Sequence, residues 1–154
     1  MSMNRMWTRK TIGVVAALVL TGVVLAAQGA VLKTDMVRPA DLKFVTMPNG
    51  TFQADVIGAA AQPGTYAVRT KLPAGLRLPP HFHPDSRIVV VLSGTFYFGY
   101  GERFDQATMT AMTPGSVFTE PAGQPHFGWA KDAEVVLHVT GVGPTATTWV
   151  EQKQ

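Results

Sequence analysis

Turn signals cut this chain into pieces too short for much besides β-strands. Pro48-Asn49-Gly50, Gln62-Pro63-Gly64, Pro73-Ala74-Gly75, Ser93-Gly94 and Thr113-Pro114-Gly115 punctuate it. Pro presets φ and Gly accepts positive φ, so each of these stretches favours a reversal over a continuing element. The intervening runs 52–57, 65–72, 87–92, 95–100, 116–119, 134–140 and 147–150 are rich in Val, Thr, Tyr, Phe and Ile. Short β-branched and aromatic runs between regular turns predict an all-β sandwich or barrel. Residues 102–111 read as a turn or loop, and the polar stretch 99–107 as a hairpin or rim loop. Residues 35–43 read as an arm before the barrel.

The N-terminus has a different character. Arg5, Arg9 and Lys10 precede an uncharged run over 11–27, and Ala27-Gln28-Gly29-Ala30 ends the segment on small residues. A basic start, a short apolar centre and a small-residue close predict a secretory signal over 1–30. The competing reading is an uncleaved membrane anchor through 11–27, although the run is short for a bilayer span. Both place the remaining domain outside the cytoplasm, in the periplasm or secreted. The domain plan is then 1–30 signal, 31–50 N-terminal arm and 51–150 a single β domain. The chain has no Cys, which excludes disulfides and lipid attachment through a thiol.

Charge narrows the partners. The net charge of +3 comes from 13 Lys and Arg against 10 Asp and Glu, and all three basic residues of excess lie in the signal segment. What remains is near neutral, so neither nucleic acid nor a membrane surface beyond the signal is an expected partner. Neither Gly-x-Ser-x-Gly nor a phosphate-cradling Gly-rich loop occurs, and nucleotide chemistry is not expected.

Histidines carry the chemistry. His81 and His83 are two apart in extended chain before the apolar run 87–92, and alternation puts both imidazoles on one face. Neutral imidazoles converging from one side suit Zn, Fe, Cu, Mn or Ni. His126 follows the turn signals Pro121-Ala122-Gly123 and Gln124-Pro125.

Gly75, His81, His83 and Gly94 in one stretch, with Gly115, Pro121, Gly123 and His126 in a second, sit at the offsets of two paired motifs. Over about 65–140 the chain resembles the cupin superfamily. The resemblance implies a double-stranded β-helix (jelly-roll) barrel, a divalent transition-metal cofactor on His81, His83 and His126, and a small-molecule substrate or ligand. By analogy it also implies a homodimer. Two positions depart from the motifs: Arg87 stands at the usual glutamate and Ala130 at the final asparagine. A guanidinium cannot ligate a metal, and unshielded it repels one.

Strand parity groups Arg87 with Val89 and Val91, and the motif turns it inward, where it needs a partner. Three readings stand: an ion pair with Glu102, Glu120 or Asp85; a fork for the carboxylate or enolate of an anionic substrate, which makes Arg87 a catalytic candidate; or a bulge at Pro84 that turns Arg87 out and brings Asp85 in as a fourth ligand. His138, in the run 134–140 with Val136 and Thr140 on its face, is the second catalytic candidate, as an acid or base near the barrel interior or an alternative ligand; its competing reading is a half-buried strand histidine with one hydrogen bond. Phe82, Phe96, Phe98, Phe127 and Trp129 read as core and pocket wall. The functional expectation is a metal-dependent oxygenase-type enzyme on a small anionic or phenolic compound, related cupins including dioxygenases, decarboxylases and isomerases. Its rival is a non-catalytic small-molecule-binding barrel, and a third reading is a structural or assembly domain.

Overall fold

A computed structural model describes Leu32 and residues 35–151. The segment read as a signal lies outside the described residues. Eleven strands follow in chain order: β1 (Val45–Thr46), β2 (Phe52–Ile57), β3 (Gly64–Leu72), β4 (Arg77–Phe82), β5 (Arg87–Ser93), β6 (Phe96–Tyr100), β7 (Thr110–Met112), β8 (Val117–Glu120), β9 (His126–Trp129), β10 (Val135–Gly143) and β11 (Thr148–Trp149). They form two antiparallel sheets, ordered β1-β2-β3-β10-β5-β8 and β11-β4-β9-β6-β7. The fold is the expected all-β jelly roll. Among the described residues helical structure is limited to single 3-10 turns at Pro39–Asp41 and Gln106–Thr108, and no helix is long and apolar enough to cross a membrane.

The sheets close on one core because their inward positions alternate with solvent-facing ones. Tyr66, Val68 and Leu72 on β3, Val89 and Val91 on β5, and Val135, Leu137 and Val139 on β10 are buried on one face of the larger sheet. Phe96 and Phe98 answer them from β6. Phe98 meets Phe118 of β8 with ring centroids 4.2 Å apart, which stitches one sheet to the other. Close approach needs small residues at one point: a Cβ on Gly128 would stand 2.1 Å from the Phe96 ring.

All seven expected strands form, with ends moved by up to three residues. Four more were not expected. β1 lies in the segment read as an arm and pairs with β2 through Val45↔Gln53 and Thr46↔Phe52. β7 lies in part of the stretch read as a loop, and β9 is short and Gly-containing. β4 is the instructive one, because Pro79-Pro80 argues against a strand. The β4–β9 register shifts between Leu78 and His81, so the two residues without an N–H fall where the ladder is broken.

Burial sets the cost of truncation. Leu72 is fully buried, while Ile88 is 52% exposed on the outer face. Leu72→Ala is expected to cost about 2–5 kcal/mol and Ile88→Ala less than about 0.5 kcal/mol, measured by urea denaturation.

Candidate metal centre

Strand pairing assembles the histidines. His81 of β4 is the direct register partner of His126 of β9, so the two side chains leave adjacent strands on the same face. His83, two residues on, shares that face. The ring centroids are 4.5 Å apart for His81 and His126, 5.1 Å for His81 and His83, and 5.2 Å for His83 and His126. Two hydrogen bonds lock the connecting loops together: Gly123 N donates to the His83 carbonyl at 2.8 Å and Ala122 N to Ser86 Oγ at 3.1 Å. The first needs the tight turn that Gly123 makes at φ +70°.

Each imidazole is oriented by its own carbonyl. Nδ1 lies 2.7 Å from the Pro79 carbonyl in His81, 2.7 Å from the Ala146 carbonyl in His83, and 2.9 Å from the Gln124 carbonyl in His126. A carbonyl oxygen only accepts, so Nδ1 carries the proton and each neutral ring presents a lone pair at Nε2. One ligand atom from each ring falls within 4.8 Å of the others. The rings are 6%, 2% and 1% exposed for His81, His83 and His126, and the Nε2 atoms of His83 and His126 are buried without a hydrogen-bond partner.

Burial also keeps the rings neutral. Desolvation, reinforced by His126, pushes His81 down to about 4, and desolvation with the Arg87 charge pushes His83 down to about 3. His126 is lowered as well, chiefly by desolvation. Buried, uncharged imidazoles with convergent bare lone pairs are the donor set of a divalent metal. The residues present therefore fit the cofactor that the motifs imply.

Arg87 faces inward opposite Glu120, its register partner on β8. Nε donates to Glu120 Oε2 at 2.7 Å, and Nη2 makes a shorter contact with the same oxygen. Both side chains are largely buried, at 14% and 8% exposed. Of the readings open for Arg87, the structure selects the ion pair and chooses Glu120. Asp85 is engaged elsewhere: Tyr66 Oη donates to it at 2.7 Å, and Thr145 Oγ1 donates to its other oxygen. Burial and the bond to Asp85 push the Tyr66 phenol up to about 12, so that hydroxyl remains a donor. This network ties the 143–147 loop, which carries the Ala146 carbonyl for His83, to the loop after β4.

His138 requires a correction. It pairs with Arg69 and Val90 while its neighbours Leu137 and Val139 are buried in the core, so it points to the outer face of the sheet. It is not brought to the histidine cluster. Its Nδ1 and the Arg69 Nε are buried there without hydrogen-bond partners. The residue singled out only as a pairing candidate, Glu120, is instead central: Oε1 lies 3.5 Å from His126 Nε2 and Oε2 3.9 Å from His83 Nε2.

A cavity of about 720 Å³ opens beside the cluster. Val68, Phe96, Phe98 and Leu137 form apolar wall, while Asn49 and Gln53 line it from the β1–β2 side. Trp149 packs on His81 with ring centroids 5.1 Å apart.

Residues 68–141 match the family model described as cupin domain. This stretch is a cupin domain. The chain is 35% identical over 86 residues to germin-like protein 5-1 of Oryza sativa subsp. japonica, an alignment covering 54% of this chain and 34% of that protein. It thus spans about a third of that relative's length. The polyketide cyclase RemF of Streptomyces resistomycificus superposes with a TM-score of 0.66 at 18% identity, over 79% of this chain and 89% of that one. A salicylate 1,2-dioxygenase variant from Pseudoaminobacter salicylatoxidans superposes at 0.55 with 17% identity, over 67% and 31%. At these identities the structural neighbours establish the fold.

Removing one member of a buried ion pair strands the other. Arg87→Met is expected to destabilise the metal-free protein by about 3–5 kcal/mol, and Arg87→Met/Glu120→Leu to recover most of that loss. A double-mutant cycle by denaturant unfolding measures both.

Proposed function

We propose that this cupin is an extracytoplasmic metal-dependent enzyme that acts on a small anionic or phenolic compound by oxygenase-type chemistry. The observation that carries the reading is the convergence of three buried imidazoles, each with Nδ1 bonded to a backbone carbonyl, beside an open cavity. His81, His83 and His126 would hold the ion. A divalent metal at such a site supplies Lewis acidity to a group bound in an open position.

The protein's own residues do the rest. The carbonyls of Pro79, Gln124 and Ala146 keep Nε2 unprotonated and aimed inward. Neutral histidines and a self-neutralised Arg87–Glu120 pair would add no net charge against that of a bound ion, which would favour a carboxylate or phenolate as the entering ligand. Phe96, Phe98 and Leu137 offer apolar wall against which an aromatic or aliphatic body excludes water. Arg87 acts here by holding Glu120. Among proteins sharing the fold, the dioxygenase and cyclase named above and an oxalate oxidase are enzymes on small molecules.

One observation favours the alternative of a non-catalytic binding module: Arg87 is committed to Glu120, so its guanidinium is not free to clamp a substrate. Consumption of a candidate acid or phenol by the metal-loaded protein separates the two readings.

Elemental analysis of the untagged protein is expected to find close to one transition metal per chain. His81→Ala, His83→Ala or His126→Ala should each sharply lower it, whereas His138→Ala retains it. Retention in two of the three site variants would sink the metal centre. Export is checked separately, since the intact mass of protein recovered from the periplasm should lack residues 1–30. A full-length mass in the membrane fraction would favour the anchor through 11–27.

A further inference from the structure

We propose that Glu120 supplies the acidic ligand of this metal centre, delivered from β8 where the family's motif would take it from position 87 on β5. The inference rests on the three-histidine reading above and concerns what completes it. Arg87 and Glu120 are register partners with both side chains inward, so the two strands present their charged groups to the same space. The motif's carboxylate position holds a cation, and the carboxylate stands one strand away.

The geometry divides the labour between the two oxygens. Both contacting nitrogens of Arg87 go to Oε2, leaving Oε1 turned towards His126 Nε2 at 3.5 Å. Ligand atoms bound about 2.0–2.2 Å from one ion lie roughly 2.8–3.6 Å apart at octahedral or tetrahedral angles. The Oε1 separation from His126 Nε2 already meets that spacing.

The electron count at the site points the same way. With Nδ1 of His126 donating to Gln124, its Nε2 lone pair faces a carboxylate oxygen, and the two repel unless a cation lies between them. Nε2 of His83 and of His126 are buried without a hydrogen-bond partner, so the carboxylate does not serve them as acceptor. Glu120 also removes the objection that Arg87 raises. Placed between the guanidinium and the imidazoles, it is the anion that shields the ion from a positive charge. Arg87 is then a positioning residue, fixing the carboxylate rotamer as an outer-shell partner does.

Co²⁺ titration of the purified protein, read by its visible d–d spectrum, tests this. Glu120→Gln is expected to weaken Co²⁺ binding by at least the roughly ten-fold that loss of an outer-shell partner costs, and to change the position and intensity of the d–d bands. Arg87→Gln, which keeps the carboxylate and offers it an amide donor, should retain bands closely similar to wild type. Arg87→Gln/Glu120→Gln, which leaves no stranded buried charge, should show the altered bands of Glu120→Gln and guards against a fold defect. Wild-type bands in Glu120→Gln, whether or not affinity falls, would make Glu120 a bystander charge and overturn its ligation while the histidine site stands. Wild-type protein that takes up no more Co²⁺ than His81→Ala would overturn the histidine site and this inference together.

Discussion

The centre of the barrel depends on the pairing of β4 with β9. That register sets His81 opposite His126, and alternation then carries His83 to the same face. A slip of one residue would turn His81 and His83 away from the interior and leave His126 facing a prolyl ring. The pairing is held from outside by the Gly123–His83 and Ala122–Ser86 hydrogen bonds and from within by carbonyls on each Nδ1. Pro79-Pro80 interrupts the ladder just before the histidines, so the strand bends at the point where its side chains must converge. Preorganisation of this kind leaves the ligand lone pairs aimed before any ion arrives.

Electrostatics constrains the site nearly as tightly. Buried imidazoles cannot readily carry charge, and a buried guanidinium cannot shed its own, so Arg87 obliges the barrel to bury an acid beside it. Glu120 fills that need from the neighbouring strand. The result is a buried pair whose two charges cancel beside the neutral imidazoles. Asp85 belongs to a separate system, engaged by Tyr66 and Thr145, and holds in place the loop that orients His83.

The cavity explains why a common fold leaves the reaction open. Its apolar wall comes from the same Phe96, Phe98 and Leu137 positions that build the core, while its polar wall is borrowed from the β1–β2 edge. The polar lining from the β1–β2 edge and the histidines on β4 and β9 thus reach the cavity from different parts of the chain. A cyclase, a dioxygenase and an oxidase share the architecture, so the fold by itself assigns no reaction.

Much of this was legible in residues alone. Turn chemistry and β-branched runs determined an all-β chain, and eight motif positions from Gly75 to His126 determined the family and its histidine set. Parity correctly grouped Arg87 with Val89 and Val91. It also grouped His138 with Val136 and Thr140 but could not say which way that face looks, because both faces of β10 carry Val or Leu beside small or polar residues. Only pairing with β3 and β5, which buries Leu137 and Val139, turned His138 outward. Local propensity likewise missed β4, since prolines forbid a ladder bond yet a bulge accommodates them. The partner of Arg87 was open among Glu102, Glu120 and Asp85 for the same reason. Sequence periodicity is a property of one strand, whereas the meeting of Arg87, Glu120 and the histidines is decided by which strands lie side by side, and that belongs to the tertiary structure.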